Sequence, residues 1–170
     1  MKILPIILLL FCFTNAICQE TANSIEYSNI HIINTLKHSY SLGSAKQLQQ
    51  AFGKIKVVKE PDEVQDGFGY TYKYKGLTVY FHEHNWDSAM VTGTEYSVIL
   101  NGITYKVGEP ISKLNTAFPL SYKHREKRTK NNFTLRIDIS NKRQLTDAFI
   151  FISYNNKNYI TEIWVGNNDS

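Results

Sequence analysis

The sequence predicts an α+β protein made of two tandem repeats, each a short helix packed on an antiparallel β-meander. Three observations predict it. Blocks of sequence return at a spacing of about 66 residues. Apolar residues alternate with period two through most of the chain, the signature of half-buried strands. Helical spacing is confined to two short stretches, one in each half.

The echo has three parts. Leu48-Gln49-Gln50-Ala51-Phe52-Gly53 returns as Leu114-Asn115-Thr116-Ala117-Phe118-Pro119. Phe68-Gly69-Tyr70-Thr71-Tyr72-Lys73-Tyr74 returns as Phe133-Thr134-Leu135-Arg136-Ile137-Asp138-Ile139. Thr94-Glu95-Tyr96-Ser97-Val98 returns as Thr161-Glu162-Ile163-Trp164-Val165. The offsets are 66, 65 and 67, and the order is kept. Residues 19–92 are therefore read as the first repeat and 93–170 as the second.

Residues 1–18 precede the fold. Lys2 supplies a positive start, Ile3 to Phe13 is apolar apart from Pro5, and Ala16 and Cys18 stand at the −3 and −1 positions of a cleavage site. A permanent membrane helix needs about 20 residues, so this run is read as a secretory signal peptide cleaved before Gln19. The rival is a lipoprotein signal with Cys18 lipidated, although Ile17 stands where a lipobox wants a small residue. Both cysteines fall here, which leaves residues 19–170 without a thiol nucleophile, a redox pair or a cysteine metal site.

The segment Ile25 to Leu42 reads as a weak copy of a hairpin, since Glu26-Tyr27-Ser28 echoes Glu95-Tyr96-Ser97. Ser44 caps a helix that carries Leu48, Ala51 and Phe52 and stops at Gly53. Lys75-Gly76 turns between Tyr70-Tyr72-Tyr74 and Leu77-Val79-Phe81, which places one apolar face under the helix. Asn101-Gly102 is the strongest two-residue hairpin signal, because both central positions of a type I′ turn need positive φ. It pairs Leu100 with Ile103, Val98 with Tyr105 and Tyr96 with Val107, and hairpin 96–107 bridges the repeats. Pro110 suits a first helical turn, Ile111, Leu114 and Phe118 follow at helical spacing, and Pro119 stops the helix. Leu135, Ile137 and Ile139 then take the tyrosines' role. Ala148 to Tyr154 is apolar on both faces and reads as a central strand. Tyr159 to Val165 closes the unit.

A glycine, a short helix ending Leu-x-x-Ala-Phe-Gly/Pro, and a meander whose last strand reads Ile160-Thr161-Glu162-Ile163 resemble the repeat of the β-lactamase inhibitory proteins. The pattern is also similar to the SmpA/BamE outer-membrane assembly lipoproteins. The resemblance implies an exported or envelope protein that works by binding other proteins. Two departures qualify it. The inhibitory proteins carry disulfides, and residues 19–170 hold no cysteine. Those families usually have a pair of helices where each repeat here reads as one. The resemblance implies fold and binding, not inhibition of a β-lactamase, and no binding residue is carried over.

Charge separates the halves mildly. Residues 19–92 hold 7 Lys/Arg and 8 Asp/Glu, whereas 93–170 hold 11 and 7. No concentrated basic face of a nucleic-acid binder results. No second apolar run of membrane length follows the signal, so no transmembrane segment is expected after cleavage. The sequence contains no Gly-x-Ser-x-Gly elbow, His-Glu-x-x-His pair or phosphate loop. The expectation is a non-enzyme without a cofactor.

Two surface candidates remain. His82-Glu83-His84 on a strand would point both imidazoles one way, where a third ligand from His38 or Asp87 would complete a metal site. The plainer reading is a polar strand end, and no metal is assigned. With Tyr80 and Trp86, these histidines form an aromatic patch of the kind that anchors partners. The second candidate is the basic run Lys123, Arg125, Lys127, Arg128 and Lys130, suited to an anionic surface or to a charged loop that blunts an edge strand. It carries no interleaved aromatic residue, unlike a single-strand nucleic-acid platform. The acidic segment Glu60 to Gly67 lacks EF-hand spacing and reads as a solvated loop.

Together these readings point to a secreted or periplasmic protein-binding module, of inhibitor or immunity type, acting on another envelope or extracellular protein. The alternative is an envelope scaffold that binds anionic lipid or glycan.

Overall fold

The structure is a computed structural model that describes residues 21–62 and 66–167. The signal peptide expected over 1–18 and the centre of the acidic loop lie outside the described residues. Strands β1 (Ser24–Glu26), β2 (Ile30–Asn34) and β3 (Ser39–Tyr40) lead to helix α1 (Ala45–Phe52). Strands β4 (Val57–Pro61), β5 (Phe68–Tyr74), β6 (Leu77–His82) and β7 (Asn85–Val91) follow. The second half runs β8 (Tyr96–Leu100), β9 (Ile103–Lys106), α2 (Ser112–Ala117) and α3 (Pro119–Lys123). It ends with β10 (Glu126–Lys127), β11 (Asn132–Asn141), β12 (Gln144–Asn155) and β13 (Ile160–Asn167). The protein is mixed α/β and mostly sheet. None of the described helices is long and apolar enough to cross a membrane.

The strands form two sheets. The large one has the order β1-β11-β12-β13-β7-β6-β5-β4, with β10 also on β11. The small one has the order β3-β2-β8-β9. Only β1 on β11 is parallel among these pairs. Both orders are mirrored: β7 meets β13 at the centre of one, and β2 meets β8 at the centre of the other. Each sheet therefore takes strands from both halves of the chain.

Local chemistry accounts for the turns. Asn101 and Gly102 both adopt positive φ, 49° and 79°, and Leu100 pairs with Ile103 and Val98 with Tyr105. Ser44 caps α1 in a capping box with Gln47, and Gly53 ends it at φ 90°. Two tyrosines then hold α1 at its ends. The Tyr40 hydroxyl donates to the Gly43 carbonyl at 2.6 Å, and the Tyr74 hydroxyl donates to the Gly53 carbonyl at 2.9 Å. Burial pushes the Tyr74 hydroxyl up to about 12 and Tyr40 higher still, so both remain protonated donors.

Two segments differ from the sequence expectation. Glu26-Tyr27-Ser28 does not open a hairpin strand, because β1 leaves to pair with β11 and Tyr27–Asn29 form a 3-10 turn. The hairpin begins at Ile30. The Tyr27 ring packs on Trp86, 5.8 Å between centroids, and its hydroxyl donates to the Leu42 carbonyl at 2.6 Å. Nor does Pro119 end the helical region. Phe118 breaks the helix at φ −136°, and Pro119 begins α3 as its first residue, where its fixed φ is already helical.

The small sheet and the helices cover one face of the large sheet. Leu48 and Leu114 are completely buried, as are Ile30, Ile32, Val98 and Leu100 from the small sheet. Beneath them lie Val79, Ala89, Ile150, Ile152, Ile163 and Leu135 from the large one. Phe52 joins the layers, edge-on to Tyr40, Tyr74 and Tyr96 at 6.2, 6.0 and 5.1 Å.

Two tight points lock this arrangement. Gly76 sits at φ 81°, and a Cβ there would meet the Gly93 Cα at 2.6 Å. Glu26 secures the β11–β12 turn. Its carboxylate accepts from the backbone N–H of Arg143 at 2.8 Å, from that of Lys142 at 3.1 Å and from the Ser140 hydroxyl at 2.9 Å. These bonds offset the left-handed backbone of Lys142 and Arg143, at φ 51° and 66°.

Gly76→Ala should cost clearly more stability than Gly102→Ala. The turn conformation alone costs about 1 kcal/mol at either site, whereas only Gly76 has backbone in the way. Urea unfolding of the two variants checks this. The Arg143 N–H and Ser140 hydroxyl hold Glu26 below its ordinary 4.5. Its contribution is therefore present above that value and lost as pH falls through the lower folded value. Glu26→Gln should lower the urea midpoint at neutral pH and flatten its decline under acid. An unchanged acid limb would remove Glu26 from this role.

Candidate functional site

The second face of the large sheet is open. Alternation along β12 puts Ala148, Ile150 and Ile152 into the core and Phe149 and Phe151 on the other side. β12 is central, between β11 and β13, yet its second apolar set lies under no other layer. Cross-strand pairing extends that set sideways. Thr78 is opposite Met90, Met90 opposite Trp164, Trp164 opposite Phe151, and Phe151 opposite Arg136. The row beside it runs Tyr80, Ser88, Gly166, Phe149 and Asp138.

These side chains form a partly buried aromatic stripe. The Phe149 and Phe151 centroids are 6.1 Å apart, and Phe151 and Trp164 are 5.6 Å apart with only 30° between their planes. Gly166 lets the indole lie down on the sheet. A Cβ there would come within 2.8 Å of Trp164 Cζ2 and 2.4 Å of the Ser88 Cβ. Arg136 completes the stripe. Its guanidinium lies 3.6 Å over the Phe149 ring, and its Nε donates to Asp138 Oδ1 at 2.7 Å. Aromatic face and carboxylate together hold the arginine in one posture while half of it stays in solvent.

The four residues expected to form one patch do not share a surface. Tyr80 and His82 lie on the open face, half-buried. His82 Nδ1 is 3.1 Å from Asp62 Oδ2, which ties β6 to the end of the acidic loop. His84 is exposed in the turn after β6, because the strand ends at His82 and Glu83 turns back at φ 50°. Trp86 lies on the covered face. The register slips between Tyr80 and Phe81, so Trp86 is opposite Phe81 instead of following the alternation from Ala89. One extra residue in a strand flips everything beyond it to the other face. The Trp86 ring accordingly meets Tyr27 inside. Among the described residues no three His, Cys, Asp or Glu side chains gather as a metal site.

The basic residues do form one exposed stretch. Lys123 ends α3, Lys127 lies in β10, and Arg125, Arg128 and Lys130 occupy the connecting segments. Arg128 pairs with Glu126 at 3.2 Å, and Arg125 lies 4.4 Å over the Tyr122 ring.

Compared with known proteins, the chain matches no family model, no curated protein and no solved structure. The reading of its surface therefore rests on its own residues. Met90, Arg136, Phe149, Phe151 and Trp164 were not singled out by sequence. The signal was the apolar character of β12 on both sides, which reads equally well as burial on both sides.

Neighbouring residues of β12 should separate the two faces energetically. Ile150→Ala should cost about 2–5 kcal/mol, as for a fully buried aliphatic side chain. Phe151→Ala, although a larger truncation, should cost less than Ile150→Ala, because its ring is only partly buried and leaves no enclosed cavity. Equal losses in urea titrations would mean that the open face is covered.

Proposed function

We propose that this protein is an exported, non-enzymatic protein-binding module that covers a partner with the open face of its large sheet. The carrying observation is the Phe149, Phe151, Trp164 and Met90 stripe with Arg136 fixed at its end. Trp, Tyr and Arg are the side chains that dominate binding energy at interface centres, where Phe and Met are also enriched. The face is broad enough for the role. Strands 4.7–4.9 Å apart make the five from β11 to β6 about 20 Å across, and the eight residues of β13 run about 26 Å, so the face offers about 500 Å², more than half of one partner's share of a standard interface of about 800 Å². The partner this face fits is a folded protein whose contact patch is apolar at its centre. Inhibitor or immunity-type action is the biological form we favour, in the periplasm or outside the cell.

Two further supports bear on the same reading. The mirrored strand orders, centred on β7–β13 and β2–β8, are what duplication of one hairpin–helix–meander unit would produce, so we read the chain as two tandem repeats. The motif likeness to the β-lactamase inhibitory and SmpA/BamE-type proteins, together with the signal-like residues 1–18, favours an exported binder.

The test compares capture of a partner from envelope extract by the wild-type protein and by face variants. Trp164→Ala and Phe151→Ala should each weaken a captured complex by about 2 kcal/mol, roughly 30-fold. Lys127→Gln, away from the stripe, should leave it intact. Absence of any partner sensitive to the stripe would overturn the proposal. So would light scattering that shows the protein pairing with itself through Trp164.

A further inference from the structure

A second surface has a different character. The chain enters the fold at a pinned point. Asn23 donates its backbone N–H to the Ser121 hydroxyl at 2.8 Å, and its side-chain carbonyl accepts from the N–H of Leu120 and Ser121 at 2.9 and 3.1 Å. Its backbone carbonyl accepts from the Asp138 N–H at 2.9 Å. Thr21 and Ala22 line a groove with Ser121, His124, Glu126 and Arg136. The basic run begins two residues beyond Ser121.

This corner carries the charge of the protein. Lys123, Arg125, Lys127, Arg128 and Lys130 are all exposed, with Glu126 the one carboxylate in their run. Five cations less one anion equal the +4 of the entire chain, so the remaining sequence sums to zero. Among the described residues only Arg128 of the five has a carboxylate partner in an ion pair. The lysines stand on flexible stems with no fixed geometry to offer a single ligand.

We propose that this corner is a docking surface for an anionic lipid bilayer. The chemistry suits a diffuse layer of headgroup charge better than a folded partner. A protein interface wants a desolvated aromatic centre, whereas here the Tyr122 ring lies under the Arg125 guanidinium and Phe133, opposite Lys127, is stacked on the buried Tyr154. A nucleic-acid strand wants stacking platforms between the cations, and the run has none. Each cation near an anionic leaflet strengthens partitioning roughly fivefold, and the pull fades within a Debye length. Position adds to composition. The leader expected over 1–18 joins the fold here, and five extended residues span at most about 18 Å. A chain still held by its leader would present these lysines to the bilayer.

Vesicle sedimentation with the purified protein tests this. Wild type should co-sediment with vesicles rich in phosphatidylglycerol and not with pure phosphatidylcholine, and should be released by high salt. The triple variant Lys123→Gln, Lys127→Gln, Lys130→Gln should lose roughly a hundredfold in partitioning. Trp164→Ala should bind vesicles like wild type, which separates this surface from the open sheet face. All three lysines are exposed, and an unchanged circular dichroism spectrum will show that the variant folds. Equal binding to neutral and anionic vesicles would overturn the proposal, as would binding that survives the triple substitution. Retention of single-stranded DNA without vesicle binding would replace the bilayer with a nucleic acid.

Discussion

The pairing of β7 with β13 is the contact on which the rest of the structure depends. Ala89, Met90 and Val91 meet Val165, Trp164 and Ile163 across more than seventy residues of chain. Without it, β4–β7 and β10–β13 would be two four-strand sheets, each with an exposed edge. With it they become one sheet whose buried side is continuous. The seam is tight. Gly166 stands opposite Ser88 because the space for a Cβ is already filled by Ser88 and the Trp164 indole.

The same seam creates the candidate binding face. Met90 comes from the first half, and Phe149, Phe151, Trp164 and Arg136 come from the second. Closing the sheet buries the Val91–Ile163 side and leaves the Met90–Trp164 side in water. Apolar burial drives the first of these. The second retains aromatic area that the fold leaves uncovered, and contiguous exposed apolar surface of this kind marks interaction sites. The basic corner adjoins it through Arg136, which also lines the groove beside Thr21 and Ala22. Its cations sit where α3 and β10 meet the incoming chain, which Asn23 ties to Leu120 and Ser121.

The tyrosine content illustrates how composition is spent. Tyr40 and Tyr74 bury their rings around Phe52 and use their hydroxyls to satisfy the carbonyls on either side of α1. An eight-residue helix is too short to be stable alone. Two tyrosine donors at its ends, a capping box and one fully buried leucine supply what its length does not. Tyr80 alone of the tyrosines on β5 and β6 faces outward, toward the stripe.

Several elements were legible in the sequence because their causes are local. Asn101-Gly102 dictates its own turn, Ser44 and Gly53 bound their helix, and alternation pairs Tyr72 with Val79 without reference to distant residues. What alternation cannot say is which of two apolar sides another layer will cover. Phe149 and Ile150 are equally apolar as letters, and only the docking of the small sheet on one side makes Ile150 core and Phe149 surface. Trp86 shows the same limit at shorter range, since one slipped register in β6–β7 sends it inward, away from Tyr80. The sequence by itself determined the central hairpins, their turns and the basic run, through backbone sterics and fixed charge. Tertiary structure alone decided which face stays open and what lies side by side on it, because layer packing and strand order are set by contacts between residues far apart in the chain.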